Sequence, residues 1–227
     1  MFTPTGEDVA RYRRLRAVSR DLNNRMVKTI PKRAFTEIGK ALGILRNGVL
    51  VLDTEDMSGV MADACLYEWF ENDKNLVQAY AEIHPAKPGT DERFLLDAYL
   101  QAKYRIIESQ ELVPGAGLRG RDILNDEDIF LMDLAIGGST RLATLAMATR
   151  TVPLGDYWMT GGAGLPMIRN PKALGLFREM ERNAGCGAAS LSIIRACLDA
   201  GAAKHIRYAD ADGKAKRREP KHQWRRR

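Results

Sequence analysis

In YRIIESQELVPGAGLRGRDILNDEDIFLMDLA, residues 104–135, short apolar runs alternate with turn-forming segments. The turn segments here are PGAG (114–117) and NDED (125–128), and the same alternation continues to residue 168. Turn signals separated by roughly 8–12 residues are typical of short antiparallel strands. We therefore predict about four to six strands, arranged as a small antiparallel sheet or an SH3-like barrel, because closure removes exposed edges.

The chain before this β region has the periodicity of helices. Apolar residues recur at steps of three and four, which places them on one helix face. The predicted helices span residues 7–29, 31–48, 54–71, 76–83 and 91–103. The short run 49–52 is predicted to be a strand or an extended link. Two further helices, 170–183 and 188–203, are predicted after the β region.

The predicted fold class is α+β. It consists of an N-terminal helical bundle, a small antiparallel sheet or SH3-like barrel, two C-terminal helices and a basic tail. The corresponding regions are 1–103 (helical), 104–168 (the β module), 169–203 (the C-terminal helices) and 204–227 (the tail). We expect the tail to be disordered when the protein is free.

Composition limits the class of protein. The chain has 227 residues, of which 45% are hydrophobic and 28% charged, which is the balance of a folded globular protein. Its three cysteines, Cys65, Cys186 and Cys197, lie far apart and form no Cys-x-x-Cys pair, which argues against a disulfide scaffold or a zinc ribbon. The N-terminus lacks the pattern of a signal peptide, and no apolar run approaches the roughly 20 residues of a membrane span. We expect a cytoplasmic protein.

The charge is unevenly distributed along the chain. Residues 1–33 carry nine basic and three acidic residues, and residues 204–227 carry ten basic and three acidic residues. The remaining 34–203 carry 16 basic and 23 acidic residues, a net charge of −7 between ends of +6 and +7. Basic ends around an acidic body predict an anionic partner, since each Lys or Arg placed on a phosphate releases condensed counterions.

Nucleic acid is the commonest such partner, and we predict a non-enzymatic, nucleic-acid-associated protein. RNA or a ribonucleoprotein, including the ribosome, is favoured over DNA because no duplex-reading motif is evident. The predicted contacts are Arg11, Arg13, Arg14, Arg16, Arg20, Lys214, Lys216, Arg217, Arg218, Lys221, Trp224, Arg225, Arg226 and Arg227.

The tail GKAKRREPKHQWRRR, residues 213–227, has no apolar periodicity and contains Pro220. Its one aromatic residue, Trp224, can stack on a base among the arginines. We expect the tail to become ordered only on binding. The alternative is a solvated tail that maintains solubility or folds back on the acidic body. A membrane partner is disfavoured, since the tail has a single large apolar anchor and no lipidation signal.

No recognisable motif for an enzyme or a cofactor is present. The glycine-rich segments at 115–117, 137–138 and 161–164 match neither the P-loop nor the dinucleotide-binding spacing, so they are interpreted as tight turns. The loop from Thr160 to Gly164 is kept as a candidate functional rim. Two groups of acidic residues, interpreted as helix caps and a hairpin turn, are Asp53, Glu55, Asp56 and Asp63, and Asp126, Glu127, Asp128 and Asp133. We expect no cofactor and no bound metal.

The segment from Asp91 through residue 133, with ATRTVP and YWMTGGAGLP after it, resembles a module of uncharacterised bacterial proteins. In that module a helix precedes a small β unit of the form Y-R…E…V-P-G-x-G-L…R-D-I-L. A similar module occurs in some proteins that carry the SEC-C zinc motif, whose cysteine-rich part is missing from this chain. The matching positions are Asp91, Leu95, Tyr104, Pro114, Gly115, Gly117, Asp122 and Leu124. The resemblance implies a small sheet in 104–168 and assigns no activity.

Two other functions remain open. One is a protein-interaction or regulatory module, including a homo-oligomer whose basic ends pair with the acidic body of a neighbouring copy. The other, weaker alternative is a metal-dependent nuclease or toxin-like enzyme that uses one of the acidic clusters, because two-metal sites need several converging carboxylates.

Overall fold

A computed structural model describes residues 2–52, 57–138, 146–161, 164–167 and 188–202. The predicted helix 170–183, the tail 204–227 and the predicted helix start at Thr54 lie outside the described residues. Within the described ranges the fold is α+β, as the sequence predicted.

Seven helices occur in the described residues. They are α1 (Gly6–Val27), α2 (Lys32–Ala41), α3 (Met57–Glu68), α4 (Leu76–Ile83), α5 (Asp91–Leu100), α6 (Leu134–Gly137) and α7 (Ala188–Asp199). Local sequence defines several helix starts: Thr5 and Asp8 form a reciprocal capping box at α1, and Asn75 and Gln78 form another at α4. Every described helix is either too short or too polar to span a bilayer.

Ten short strands accompany the helices. They are β1 (Leu45–Arg46), β2 (Val49–Leu50), β3 (Phe70–Glu71), β4 (Lys74–Asn75), β5 (Lys103–Val113), β6 (Gly117–Asp122), β7 (Glu127–Met132), β8 (Ala146–Pro153), β9 (Trp158–Thr160) and β10 (Leu165–Met167). The six strands from β5 to β10 confirm the predicted number of strands in the β region.

Five of these strands close into a small barrel. The strand order is β8-β5-β6-β7-β9, and β9 pairs with both β7 and β8, which completes the ring. The β7–β9 pairing is parallel and the other pairings are antiparallel. Strand β10 pairs with the first half of β8, whose second half pairs with β9. The barrel form of the predicted β module is therefore the one observed.

The predicted second helix was too long. Helix α2 ends at Ala41, and β1 lies where the helix was predicted to continue. It forms a hairpin with β2, which lies in the run 49–52 that was predicted to be a strand or an extended link. Its turn residues, Asn47 and Gly48, have positive φ values of 50° and 77°. An Asn-Gly pair is the strongest local signal for this kind of hairpin turn, so the dipeptide overrides the apolar helical spacing around it.

Two glycines allow the barrel to pack tightly at one end. A Cβ on Gly117 would collide with the carbonyl oxygen of Leu131, and a Cβ on Gly137 would lie 2.6 Å from the amide nitrogen of Gly117. The backbone of β6 therefore approaches the backbones of β7 and of α6 too closely for any side chain at these positions.

The apolar core has two parts. The larger part lies between the helices and the outer face of the barrel and includes Leu15, Leu22, Leu95, Ile106 and Val152. The smaller part consists of Ile107, Leu118, Ile129 and Leu131, and the alternation of side chains along β5 and β6 places it inside the barrel.

Arg150 of β8 joins the helical layer to the barrel. Its Nη2 atom lies 3.2 Å from Asp63 Oδ2 and 2.6 Å from Glu68 Oε1, both on α3. The guanidinium lies between the rings of Tyr67 and Tyr104, 4.1 Å and 5.1 Å from their centroids. Burial alone would lower the pKa of Arg150, but the charges of Asp63 and Glu68 raise it. Burial raises the pKa of Glu68 although Arg150 opposes that shift.

A second buried arginine occupies the barrel interior. Arg105 of β5 is paired with the fully buried carboxylate of Asp122 and also lies 2.8 Å from Glu127 Oε2. Its Nε donates to the Thr151 hydroxyl at 3.1 Å, and its guanidinium lies 4.3 Å from the centroid of the Trp158 ring. These contacts connect β5, β6, β7, β8 and β9, so one side chain links all five strands of the barrel.

Replacing Arg150 with methionine is expected to lower the free energy of unfolding by about 3–5 kcal/mol, because it leaves two buried carboxylates unpaired. Urea unfolding followed by tryptophan fluorescence measures this loss. The control is Arg33→Met, because Arg33 is 70% exposed and pairs with Glu37 at the surface, where an ion pair contributes little to stability. Equal stabilities of the two variants would contradict the structural role of Arg150.

Burial also predicts two unreactive cysteines. Cys65 and Cys197 are 0% and 4% exposed, and burial raises the pKa of each thiol to about 12. Because the thiolate is the reactive form, a Cys186→Ser variant in native buffer at pH 8 is expected to react slowly with a thiol reagent such as dithiobisnitrobenzoate. In denaturant both thiols should react at once, which is the control. Fast labelling of the native protein would mean that α3 or α7 is packed differently.

Candidate nucleic-acid interface

Helix α1 carries the N-terminal group of predicted contacts, and its apolar face determines which arginines point outward. Its buried residues are Tyr12, Leu15, Ser19, Leu22 and Met26, spaced at three and four along the helix. The Ser19 and Tyr99 hydroxyls lie 2.7 Å apart in a hydrogen bond that joins α1 to α5. Burial raises the pKa of Tyr12, which keeps its hydroxyl neutral. The remaining positions of α1 face outward or toward its flanks.

Two of the predicted arginines bind the barrel instead of facing solvent. Nη1 of Arg11 donates to the carbonyl oxygen of Leu154 at 2.9 Å. Nη1 of Arg16 donates to the carbonyl oxygen of Thr160, and its Nη2 donates to the Thr160 hydroxyl at 3.2 Å. The Thr160 hydroxyl in turn donates to Asp133 at 2.7 Å. Because Leu154 precedes β9 and Thr160 is its last residue, these arginines hold α1 against the closing strand of the barrel.

Two further arginines bind the acidic start of α5. Arg14 pairs with Asp91 at 2.7 Å, and Arg25 pairs with Glu92 at 2.5 Å. The hydrogen bond and the charge of Asp91 raise the pKa of Arg14. The Arg14 side chain is still 62% exposed, and pairs this exposed contribute little to stability. Arg14 therefore remains accessible to a stronger anionic ligand.

The outward face of α1 forms a continuous row of exposed residues. We call this row the outer stripe: it consists of Arg13, Ala17, Arg20, Asn24 and Lys28, all exposed. Arg13, Arg20 and Lys28 make no ion pair with the residues that the structure describes. Three uncompensated cations are thus aligned along one side of a rigid helix.

The structure separates the predicted N-terminal contacts into two groups. Arg13 and Arg20 belong to the outer stripe, while Arg11, Arg14 and Arg16 make intramolecular contacts. Lys28 was not among the predicted contacts, although its spacing from Arg13 and Arg20 is the helical repeat that identifies it. The predicted tail contacts, from Lys214 to Arg227, lie outside the described residues.

Among the residues that the structure describes, the acidic residues of the two sequence clusters do not converge on one site. Asp63 pairs with Arg150, Asp126 and Asp128 pair with Arg121, and Glu127 pairs with Arg105. In addition, Asp133 caps α6 through the amides of Ala135 and Ile136. Asp53, Glu55 and Asp56 lie outside the described residues. No group of three or more potential ligands for a metal ion occurs among the residues that the structure describes.

The glycine-rich segments serve as turns and packing positions. Gly115, at the β5–β6 turn, has a φ of 74°, and its amide donates to the carbonyl oxygen of Gly137. At the predicted functional rim, the amide of Gly161 donates to the carbonyl oxygen of Arg150, while Gly162 and Ala163 lie outside the described residues. The amides of Gly115 and Gly161 are thus used within the fold.

Comparisons with known proteins give one match. No curated protein and no solved structure matches the chain. A model for a family of unknown function, DUF7986, matches residues 6–176. The match begins at the first residue of α1 and extends past β10, so it includes the outer stripe but not α7 or the tail.

Proposed function

The chain belongs to DUF7986, a family to which no function is assigned, and we propose from its charge distribution that the protein binds nucleic acid without acting as an enzyme. The outer stripe carries this proposal. It places Arg13, Arg20 and Lys28 on one exposed helix face with no acidic partner among the described residues. RNA, alone or in a ribonucleoprotein, is the favoured ligand.

The spacing of the stripe suits a phosphate backbone. At about 1.5 Å per residue, Arg13 and Arg20 are separated by roughly 10 Å along the axis, and Arg20 and Lys28 by roughly 12 Å. Ala17 lies between the two arginines and leaves room for the backbone of a ligand to approach the helix. Contacts of this kind recognise charge and not base identity, so binding is expected to tolerate most sequences.

The basic tail adds a second set of cations. Residues 204–227 contain ten basic residues and Trp224. A second basic segment in the same chain as a helix with its own cations raises affinity, because the second contact forms within the same molecule. The absence of a duplex-reading motif and the presence of Trp224 favour single-stranded RNA.

Replacing Arg13, Arg20 and Lys28 together with alanine is expected to weaken RNA binding and to make it less sensitive to salt. Losing three phosphate contacts should reduce the slope of log affinity against log salt concentration by about 2, because each contact on a single strand contributes about 0.7. Fluorescence anisotropy with a labelled oligouridine at several salt concentrations measures both quantities.

The matched control replaces Lys40, Arg46 and Lys87 with alanine, which removes the same number of exposed, unpaired positive charges elsewhere. This variant should bind nearly as well as the wild type. Equal losses in the two variants would show that only net charge matters, and an unchanged affinity of the stripe variant would exclude α1 as the contact surface.

Changing Lys214, Lys216, Arg217 and Arg218 to glutamine in the full-length chain is expected to reduce the salt slope by roughly 3. The folded body is unchanged in this variant, so its thermal unfolding midpoint should equal that of the wild type. The same anisotropy titration reports the effect. An unchanged slope would remove the tail from the proposed interface and leave the outer stripe alone.

A further inference from the structure

A cleft of about 390 Å³ lies between α1 and α5. Its lining includes Arg11 from α1, Thr90 from the loop before α5, and Arg93 and Phe94 from α5. The Phe94 side chain is 36% exposed, and the exposed large apolar residues of the described chain include one other aromatic, Phe70. We call this feature the Phe94 cleft.

Arg11 is held in place at the edge of the Phe94 cleft. Its guanidinium lies 4.9 Å from the centroid of the Phe94 ring, while Nη1 is bound to the carbonyl oxygen of Leu154 at 2.9 Å. An arginine has five N–H donors, so donors remain for a ligand in the cleft. The ring has two faces and Arg11 lies over one of them, which leaves aromatic surface for a second planar group.

The charges around the cleft leave Arg11 without an acidic partner. Asp91 pairs with Arg14 at 2.7 Å, and Asp97 pairs with Arg93 at 2.9 Å. Arg11 makes no ion pair with the described residues, and its contacts include the carbonyl oxygen of Leu154, the Phe94 ring and the Tyr157 hydroxyl. An aromatic surface beside a preorganised cation is the combination that binds a base together with its phosphate.

We infer that the Phe94 cleft holds one unpaired nucleobase of a single-stranded RNA, stacked on the Phe94 ring, with the adjoining phosphate at Arg11. The inference rests on the proposed function. Because a helix turns by about 100° per residue, Arg14 lies between the outer stripe and Arg11 around α1, and it pairs with Asp91 of the cleft lining, so a strand that crosses Arg14 connects the stripe with the cleft. The stripe then supplies contacts to the backbone, and the cleft holds the strand through a base.

The test uses the full-length protein and an oligouridine that contains one central 2-aminopurine, whose fluorescence is quenched when the base stacks. Phe94→Leu keeps an apolar side chain and removes the aromatic face. It is expected to weaken binding roughly tenfold and to abolish most of the quenching, in line with the effect of removing one stacking platform. Circular dichroism and the thermal midpoint verify that the variant is folded.

Two matched variants assign the stacking site. Phe70→Leu removes the other exposed aromatic residue and should bind and quench like the wild type. Trp224→Leu removes the aromatic residue of the tail, and quenching should largely persist in it if the base stacks on Phe94. Quenching retained in Phe94→Leu but lost in Trp224→Leu would overturn the inference and place the stacked base on the tail.

The remaining outcomes distinguish this inference from the proposed function. If Phe94→Leu binds and quenches like the wild type while the triple stripe variant binds weakly, the cleft is not a base site but the proposed function stands. If the wild type binds no RNA at low salt, both the proposed function and the Phe94 cleft as a base site are wrong. A Phe94→Leu variant that does not fold is replaced by Phe94→Tyr, which keeps the ring and must therefore bind and quench like the wild type.

Discussion

The pairing of Arg150 with Asp63 and Glu68 is the constraint around which the two layers of this protein are arranged. A buried guanidinium is tolerated only where carboxylates and aromatic faces surround it, and here α3 supplies both carboxylates while Tyr67 and Tyr104 supply the rings. Strand β8, which carries Arg150, also pairs with β5, β9 and β10. The position of α3 therefore depends on the same strand that closes the barrel.

The arginines of this chain have two different uses, and their surroundings distinguish them. Arg105 and Arg150 are almost fully buried and bind carboxylates within the fold, while Arg11 and Arg16 bind carbonyl oxygens at the closing strand. Arg13 and Arg20 lie on the outer stripe. These six arginines contribute equally to the net charge, but only an arginine whose N–H donors are accessible can bind a phosphate. This division narrows the proposed interface on α1 from a basic segment to one helix face and the cleft beside it.

Periodicity was sufficient to predict most helices and the strand-rich region, because an apolar face has to be buried wherever the element lies. It failed at β1, where the Asn47-Gly48 turn outweighs the helical spacing, although the dipeptide itself contains the signal for a hairpin. Barrel closure could not be read from the sequence, since the β7–β9 and β8–β9 pairings depend on packing between distant segments. For the candidate site, the sequence identified the basic segment, and the helical spacing from Arg13 and Arg20 contains the signal for Lys28, but it did not indicate Phe94.

Composition and residue order were enough to establish an α+β chain with an acidic body and basic ends, because charge and apolar periodicity are properties of the chain itself. The partner of each charged residue was decided only by tertiary structure. Arg14 and Arg13 are adjacent in the sequence, yet one faces Asp91 and the other faces solvent. A helix turns by about 100° per residue, so neighbouring side chains enter different surroundings, and those surroundings exist only after α1 has packed against α5 and the barrel.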